Sequence, residues 1–122
     1  MKIHESAENS LETIFILKRQ NGSVRSIDIA NELNLSKPSI SRAMGILKNA
    51  GLITIEKSGQ INLTEVGYEK ATAIYERHCL IKQFLIQTLQ IDEELADKDA
   101  CRIEHVISEE TFNKMKEILI KE

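Results

Sequence analysis

Within DACRIEHVIS, residues 99–108, Cys101, Glu104 and His105 carry a thiol, a carboxylate and an imidazole at i, i+3 and i+4. That spacing stacks side chains on one face of a helix. Together the three groups make half of a site for a divalent transition metal. Ligands from a single helical turn cannot enclose an ion, so other elements must supply the remainder. The completing candidates are His78 and, spaced i and i+3 near the start of the chain, Asn9 and Glu12. Each residue also has a purely structural alternative: Cys101 as a small buried hydrophobe, Glu12 and Glu104 as solvated helix carboxylates, His78 as a surface imidazole. Their conjunction points to a metal. His4, near a terminus expected to fray, and Asp97, in an acidic surface run, fall outside the expected site. A thiol and an imidazole one turn apart also resemble an activated nucleophile. No oxyanion loop, cofactor fingerprint or room for a substrate domain accompanies them, so the chain is not expected to be an enzyme.

The elements that must position these groups are limited by size. A chain of 122 residues fits one compact domain with a helical extension. With 42% hydrophobic residues but only 4% aromatics and no Trp, the core is expected to be Leu and Ile in helix-dominated packing. The net formal charge of -3 conceals a polarity. Residues 18–58 hold seven cations, Lys18, Arg19, Arg25, Lys37, Arg42, Lys48 and Lys57, against Asp28, Glu32 and Glu56, a local +4 that leaves -7 elsewhere. Two cysteines, Cys79 and Cys101, no signal peptide and no membrane-spanning apolar run lead to the expectation of a reduced, cytoplasmic protein without a membrane partner.

Periodicity supplies the elements. A first helix is expected from about Ser6 to Arg19, with Leu11, Ile14, Phe15 and Ile16 apolar and Gly22 as the stop. A second begins at Ser26, taken as its N-cap, and after the turn Asn34-Leu35-Ser36 a third is capped by Ser36 with Pro38 in its first turn, ending before Gly51. The period then alternates through Leu52–Glu56 and Gln60–Leu63 around Ser58-Gly59, the pattern of a β-hairpin. Thr64 caps a long helix from Glu65 to Leu89, with Val66, Ala71, Ile74, Leu80, Ile81, Phe84 and Leu85 apolar. Asp92 starts a shorter helix, Asp99–His105 forms a separate turn or two, and Ser108 caps a last helix bearing Phe112, Met115, Ile118 and Leu119. The fold class is therefore mainly α with a small β-hairpin: a winged helix-turn-helix over residues 1–64, then a helical domain over 65–122. The later helices carry more apolar surface than one small chain can hide, which implies a homodimer.

A helix-turn-helix followed at once by a basic hairpin is the architecture of a double-stranded DNA reader. The third helix opens with Ser36, Lys37, Pro38, Ser39, Ser41 and Arg42, short donors and two cations suited to phosphates and base edges. Arg42 is the candidate for a bidentate guanine contact. Lys57 in the hairpin and Arg25 before the second helix add positive charge. A metal site joined to such a reader implies a repressor switched by metal.

The segments SLETIFIL, VRSIDIANELNLSKPSISRAMGILKNAGLI, LTEVGYEKA, ERHCLIKQFL and CRIEHVIS together resemble the metal-dependent repressors of the diphtheria toxin repressor and manganese transport regulator family over nearly the whole chain. The resemblance implies an N-terminal winged helix that binds a palindromic operator, a dimerisation module, and activation by Fe(II) or Mn(II), with Zn(II) or Co(II) able to bind in vitro. By position it implies that Cys101, Glu104, His105 and His78 are ligands and that Glu12 is a ligand of the manganese-sensing branch. The chain departs from both branches at Asn9, which stands where a methionine or an aspartate would. Cys101 follows the iron branch and Glu12 the manganese branch, and Lys82 and Asp97 stand where the iron branch has ancillary ligands. A C-terminal SH3-like domain is expected to be missing, as in the manganese regulators. The alternative is a metal-independent winged-helix regulator with an organic effector, in which CRIEHVIS is core.

Overall fold

In the computed structural model, which describes residues 5–121, the elements run α1 (Glu5–Asn21), α2 (Ser26–Leu33), α3 (Lys37–Asn49), β1 (Ile53–Ile55), β2 (Ile61–Leu63), α4 (Glu65–Leu89), α5 (Glu93–Ile103) and α6 (Glu109–Lys121). His4 lies outside the described residues. The chain divides into two compact units, Met1–Thr72 and Ala73–Glu122, and α4 contributes to both. Among the described residues no helix is long and apolar enough to cross a membrane.

The first unit is a winged helix-turn-helix. Its core is aliphatic: Leu11, Ile14, Val24, Ile29, Leu47, Ile53 and Ile61 are each 2% exposed or less. The cap of α2 is one residue earlier than Ser26. Arg25 takes the extended cap conformation, and its backbone N–H donates to the Asp28 carboxylate at 2.9 Å. That acidic group reaching back supplies the N3 half of a capping box, satisfying the N–H of the cap residue itself. Ser36 caps α3 as expected, accepting from the Ser39 N–H at 3.3 Å, with Pro38 in the first turn, where no N–H is missed.

The hairpin pairs Ile53 with Leu63, Thr54 with Asn62 and Ile55 with Ile61. Hydrogen bonds continue the same register past both ends: the Leu52 carbonyl accepts from the Thr64 N–H at 3.0 Å, and the Gln60 carbonyl accepts from the Glu56 N–H at 2.9 Å. The chain entering α2 lies along β2: the Val24 carbonyl accepts from the Ile61 N–H at 2.9 Å, and Arg25 bridges Gln60. Lys18 donates from α1 to the Asn62 side chain, and Asn62 Nδ2 donates to Glu56 at 2.6 Å, tying the wing to α1.

Thr64 fixes where α4 begins. Its hydroxyl accepts from the Gly67 N–H at 3.0 Å and donates to the Gly51 carbonyl at 2.7 Å. The helix thereby starts so close to the chain entering β1 that a Cβ at position 67 would stand 1.8 Å from the Leu52 carbonyl oxygen. Along α4 the inward positions are Gly67, Ala71, Ile74, Ile81 and Leu85. Steps of four and three place His78 on the same stripe. Val66, expected among the apolar contacts, is 61% exposed because it falls outside that stripe.

In the second unit Ile81, Leu85, Ala96 and Ala100 are buried, with Phe84, Ile103, Ile107, Phe112 and Met115 packed against them. Asp92 caps α5, accepting from the Leu95 N–H at 2.8 Å. The expected break before Asp99 does not occur. No Gly or Pro interrupts residues 93–103, and the Ala96 and Ala100 face continues the helix to Ile103. Beyond it the Ile103 carbonyl accepts from both Val106 and Ile107 N–H groups, at 3.1 and 3.0 Å, and Ser108 caps α6 through the Thr111 N–H at 3.1 Å.

Candidate functional site

The end of α5 shapes the metal-ligand cluster. Cys101 lies in the last helical turn, Glu104 is the C-cap, and His105 follows in the turn, so the expected single helical face is a helix end instead. Glu104 keeps helical dihedrals of -58° and -26°, which preserves the proximity of the three side chains. One donor atom from each of Cys101, Glu104 and His105 lies within 4.8 Å of the others. Glu104 is 1% exposed, so its solvated-carboxylate alternative does not hold. One of its oxygens, Oε1, lies 3.2 Å from His105 Nε2 and the other, Oε2, 2.8 Å from His78 Nδ1.

His78 is not a surface imidazole. Its side chain is 13% exposed, and its other nitrogen, Nε2, lies 2.9 Å from Asp97 Oδ1. Asp97, expected in an acidic surface run outside the site, instead joins the cluster through His78. Its i, i+4 spacing to Cys101 was the available signal. Burial works against the ionised form of Asp97, but hydrogen bonding and charge from His78, with Lys82 beyond, hold its carboxyl below the usual range. Burial likewise opposes the charged form of Lys82. The hydrogen bond it donates to Glu93 and the charges of Asp97 and Glu93 outweigh it and raise its pKa. Lys82 Nζ lies 3.4 Å from Glu93 and 3.5 Å from Asp97. Arg77 braces the turn from α4, donating to the Glu104 carbonyl at 3.2 Å while its guanidinium sits 5.0 Å from the centre of the Phe112 ring.

A buried carboxylate between two imidazoles, with a thiol in reach, is the donor chemistry of a divalent transition metal, and the residues fit such an ion. The remaining candidates lie on α1 in the first unit. Glu12 is 4% exposed and so not a solvated carboxylate. Asn9 is half-buried, and its backbone carbonyl accepts the Thr13 hydroxyl at 2.8 Å.

The nucleic-acid candidates lie in the first unit. Along α3, Ile40, Ala43, Met44 and Leu47 are buried while Ser36, Lys37, Pro38, Ser39, Ser41 and Arg42 are exposed. An open groove of about 650 Å³ runs beside them, lined by Lys37, Ser41, Gly45 and Lys48 of α3 with Ser26 and Ile55 opposite. Lys48, not singled out in the sequence as a DNA contact, belongs to this surface because Ser41, Gly45 and Lys48 follow helical spacing. Lys57 is exposed in the hairpin turn, and Arg25 is exposed on the bridge to β2.

Comparison with known proteins matches both parts of this arrangement. The N-terminal DNA-binding domain of iron-dependent repressors matches residues 2–61. The metal-binding and dimerisation domain of iron-dependent repressors matches residues 64–121. An uncharacterised HTH-type transcriptional regulator of Methanocaldococcus jannaschii is 33% identical over 113 residues, 92% of this chain and 90% of that protein. The diphtheria toxin repressor of Corynebacterium diphtheriae is 27% identical over 115 residues, 94% of this chain, which spans about half of that repressor, 51%. The fold matches a solved manganese-dependent transcriptional repressor in complex with manganese at a TM-score of 0.85 and 24% identity, covering 93% of this chain and 52% of that one. With both domain models matched in order along nearly its whole length, the chain belongs to the iron-dependent repressor family, whose members are metal-dependent DNA-binding transcriptional repressors and not enzymes.

Proposed function

We propose that the protein acts in the cytoplasm as a homodimer that binds a palindromic operator when loaded with Fe(II) or Mn(II), and so adjusts the expression of metal-homeostasis genes. The observation that carries this reading is the buried Glu104 carboxylate set between His78 and His105 with Cys101 beside them. Asn9 and Glu12 complete the ligand set, Asn9 as a neutral and weaker oxygen donor. The function divides at Thr64, residues 1–64 reading DNA and 65–122 binding metal and dimerising. Arg25, Ser36, Lys37, Pro38, Ser39, Ser41, Arg42 and Lys57 face the operator, with Arg42 at a base edge and the others positioning the backbone.

A thiolate favours softer ions, while carboxylates and imidazoles suit Fe(II) and Mn(II) alike, so Fe(II) leads and Mn(II) follows. Zn(II) and Co(II) bind the same donors in vitro. The ion shifts the equilibrium only by as much as it prefers the DNA-competent conformation, and by linkage the operator tightens metal binding by the same factor. Fluorescence anisotropy on an operator under anaerobic conditions tests the switch. Removing Fe(II) or Mn(II) with a chelator is expected to weaken binding at least tenfold, about 1.4 kcal/mol. Equal affinity with and without metal would leave an organic effector as the better explanation.

A further inference from the structure

The two ring nitrogens of a histidine are distinct, and which of them meets a metal is set by the hydrogen bond that the other makes. At His78 the choice is built from two helical stripes. His78 and Lys82 stand at i and i+4 on α4, and Glu93, Asp97 and Cys101 continue at successive fourth residues on α5. Asp97 meets the Nε2 edge of the ring at 2.9 Å, while the Nδ1 edge faces Glu104 at 2.8 Å. Lys82 lies 3.5 Å from the oxygen of Asp97 that meets the imidazole, and 3.4 Å from Glu93. The ring thus has an outer edge held by a carboxylate that is itself held by an ammonium, and an inner edge directed at the buried cluster.

We infer that Asp97 is a positioning residue for the metal centre: it accepts a hydrogen bond from the Nε2–H of His78, so that Nδ1 is the nitrogen delivered to the ion, and Lys82 keeps Asp97 on that task. The inference rests on the metal-centre reading above and adds to it a residue and an orientation. Asp97 is 54% exposed at its side chain and is not among the buried residues described, so substitution is expected to leave the fold in place. A divalent ion on the outer side of the ring would have to displace the ammonium of Lys82, whereas the inner side faces the Glu104 carboxylate. A carboxylate in this outer role changes metal affinity by about 10- to 100-fold where it has been removed from other sites.

The test uses the full chain labelled with 15N and loaded with 113Cd(II), a diamagnetic probe of sites that bind transition metals. One-bond 113Cd–15N coupling at His78 is expected at Nδ1, with Nε2 retaining its proton. Asp97→Leu is expected to lower Cd(II) affinity about 10- to 100-fold and to spread the His78 signal over both nitrogens, and Asp97→Asn, which keeps an acceptor oxygen, restores the single Nδ1 coupling. Circular dichroism of the apo variants shows that they remain folded. Coupling at Nε2, or wild-type Cd(II) binding by Asp97→Leu, overturns the inference while leaving the metal centre standing. Failure of the wild-type chain to bind Cd(II) at all removes both.

Discussion

Glu104 is where a one-atom change tells most, because its buried carboxylate meets an imidazole on each side. Glu104→Gln keeps the shape and removes the charge, and His105→Ala removes a donor. Both are expected to abolish metal activation of operator binding while the apo protein stays folded, since polar groups lining a metal site are not the main source of packing energy. Thermal melts beside metal titrations check this, and unfolding of both variants with unchanged metal affinity in the folded fraction would make CRIEHVIS core. In the reader, Arg42→Ala is expected to cost roughly 1 to 3 kcal/mol on the operator and relax preference at one base pair per half-site. Lys57→Ala is expected to weaken all sequences alike and flatten the salt slope by about one unit. An operator library measured at two salt concentrations separates them. Much of this candidate cluster was legible residue by residue: the i, i+3, i+4 donors by spacing, and His78 as an imidazole on the long helix able to complete them. Asp97 was not, because one carboxylate in an acidic run looks solvated until the fold sets an imidazole against it.

Among the elements, the start of α4 is the most constrained. A side chain at position 67 would collide with the Leu52 backbone, and backbone cannot swing aside as a flexible side chain can. Gly67→Ala is therefore expected to destabilise the protein by about 1 to 3 kcal/mol, against the gain of roughly 1 kcal/mol that alanine gives in an open helix interior. Urea titration followed by circular dichroism gives the sign. The sequence showed this element's cap, Thr64, because a threonine between an alternating and a helical stretch has one obvious use. It did not show that α5 runs unbroken past Asp99, since an aspartate after a lysine reads equally well as a cap. What decides is burial of Ala96 and Ala100 on one continuous face. The α2 cap was misplaced by one residue for a related reason: Asp28 reaches back to Arg25, a choice made by local geometry and not by residue type.

At the level of the molecule, the order of elements was legible because the hydrophobic period changes from helical to alternating and back, and that order alone specifies a winged helix followed by helices. What needed the structure was the surface left over. In the second unit Leu89, Leu95, Val106 and Ile118 are 60%, 47%, 71% and 45% exposed, large aliphatic side chains facing water on an otherwise charged module. The proposed homodimer would cover such a surface. Ile118→Asp is expected to raise the dimer dissociation constant at least tenfold in sedimentation velocity, and to weaken operator binding with it, since both half-sites must be held at once. A monomeric wild-type chain at micromolar concentration would remove the dimer from the proposal.

The ending of α5 at Ile103 has one more consequence. A helix accumulates about half a negative elementary charge at its carboxyl end, where the last carbonyls point outward. Cys101 and Glu104 sit in that final turn, so the backbone itself adds attraction for a cation before any side chain is counted. The same macrodipole disfavours a second carboxylate there, and position 101 supplies a sulfur donor in place of one. The choice of donors and the polarity of the helix beneath them are thus complementary parts of one electrostatic arrangement.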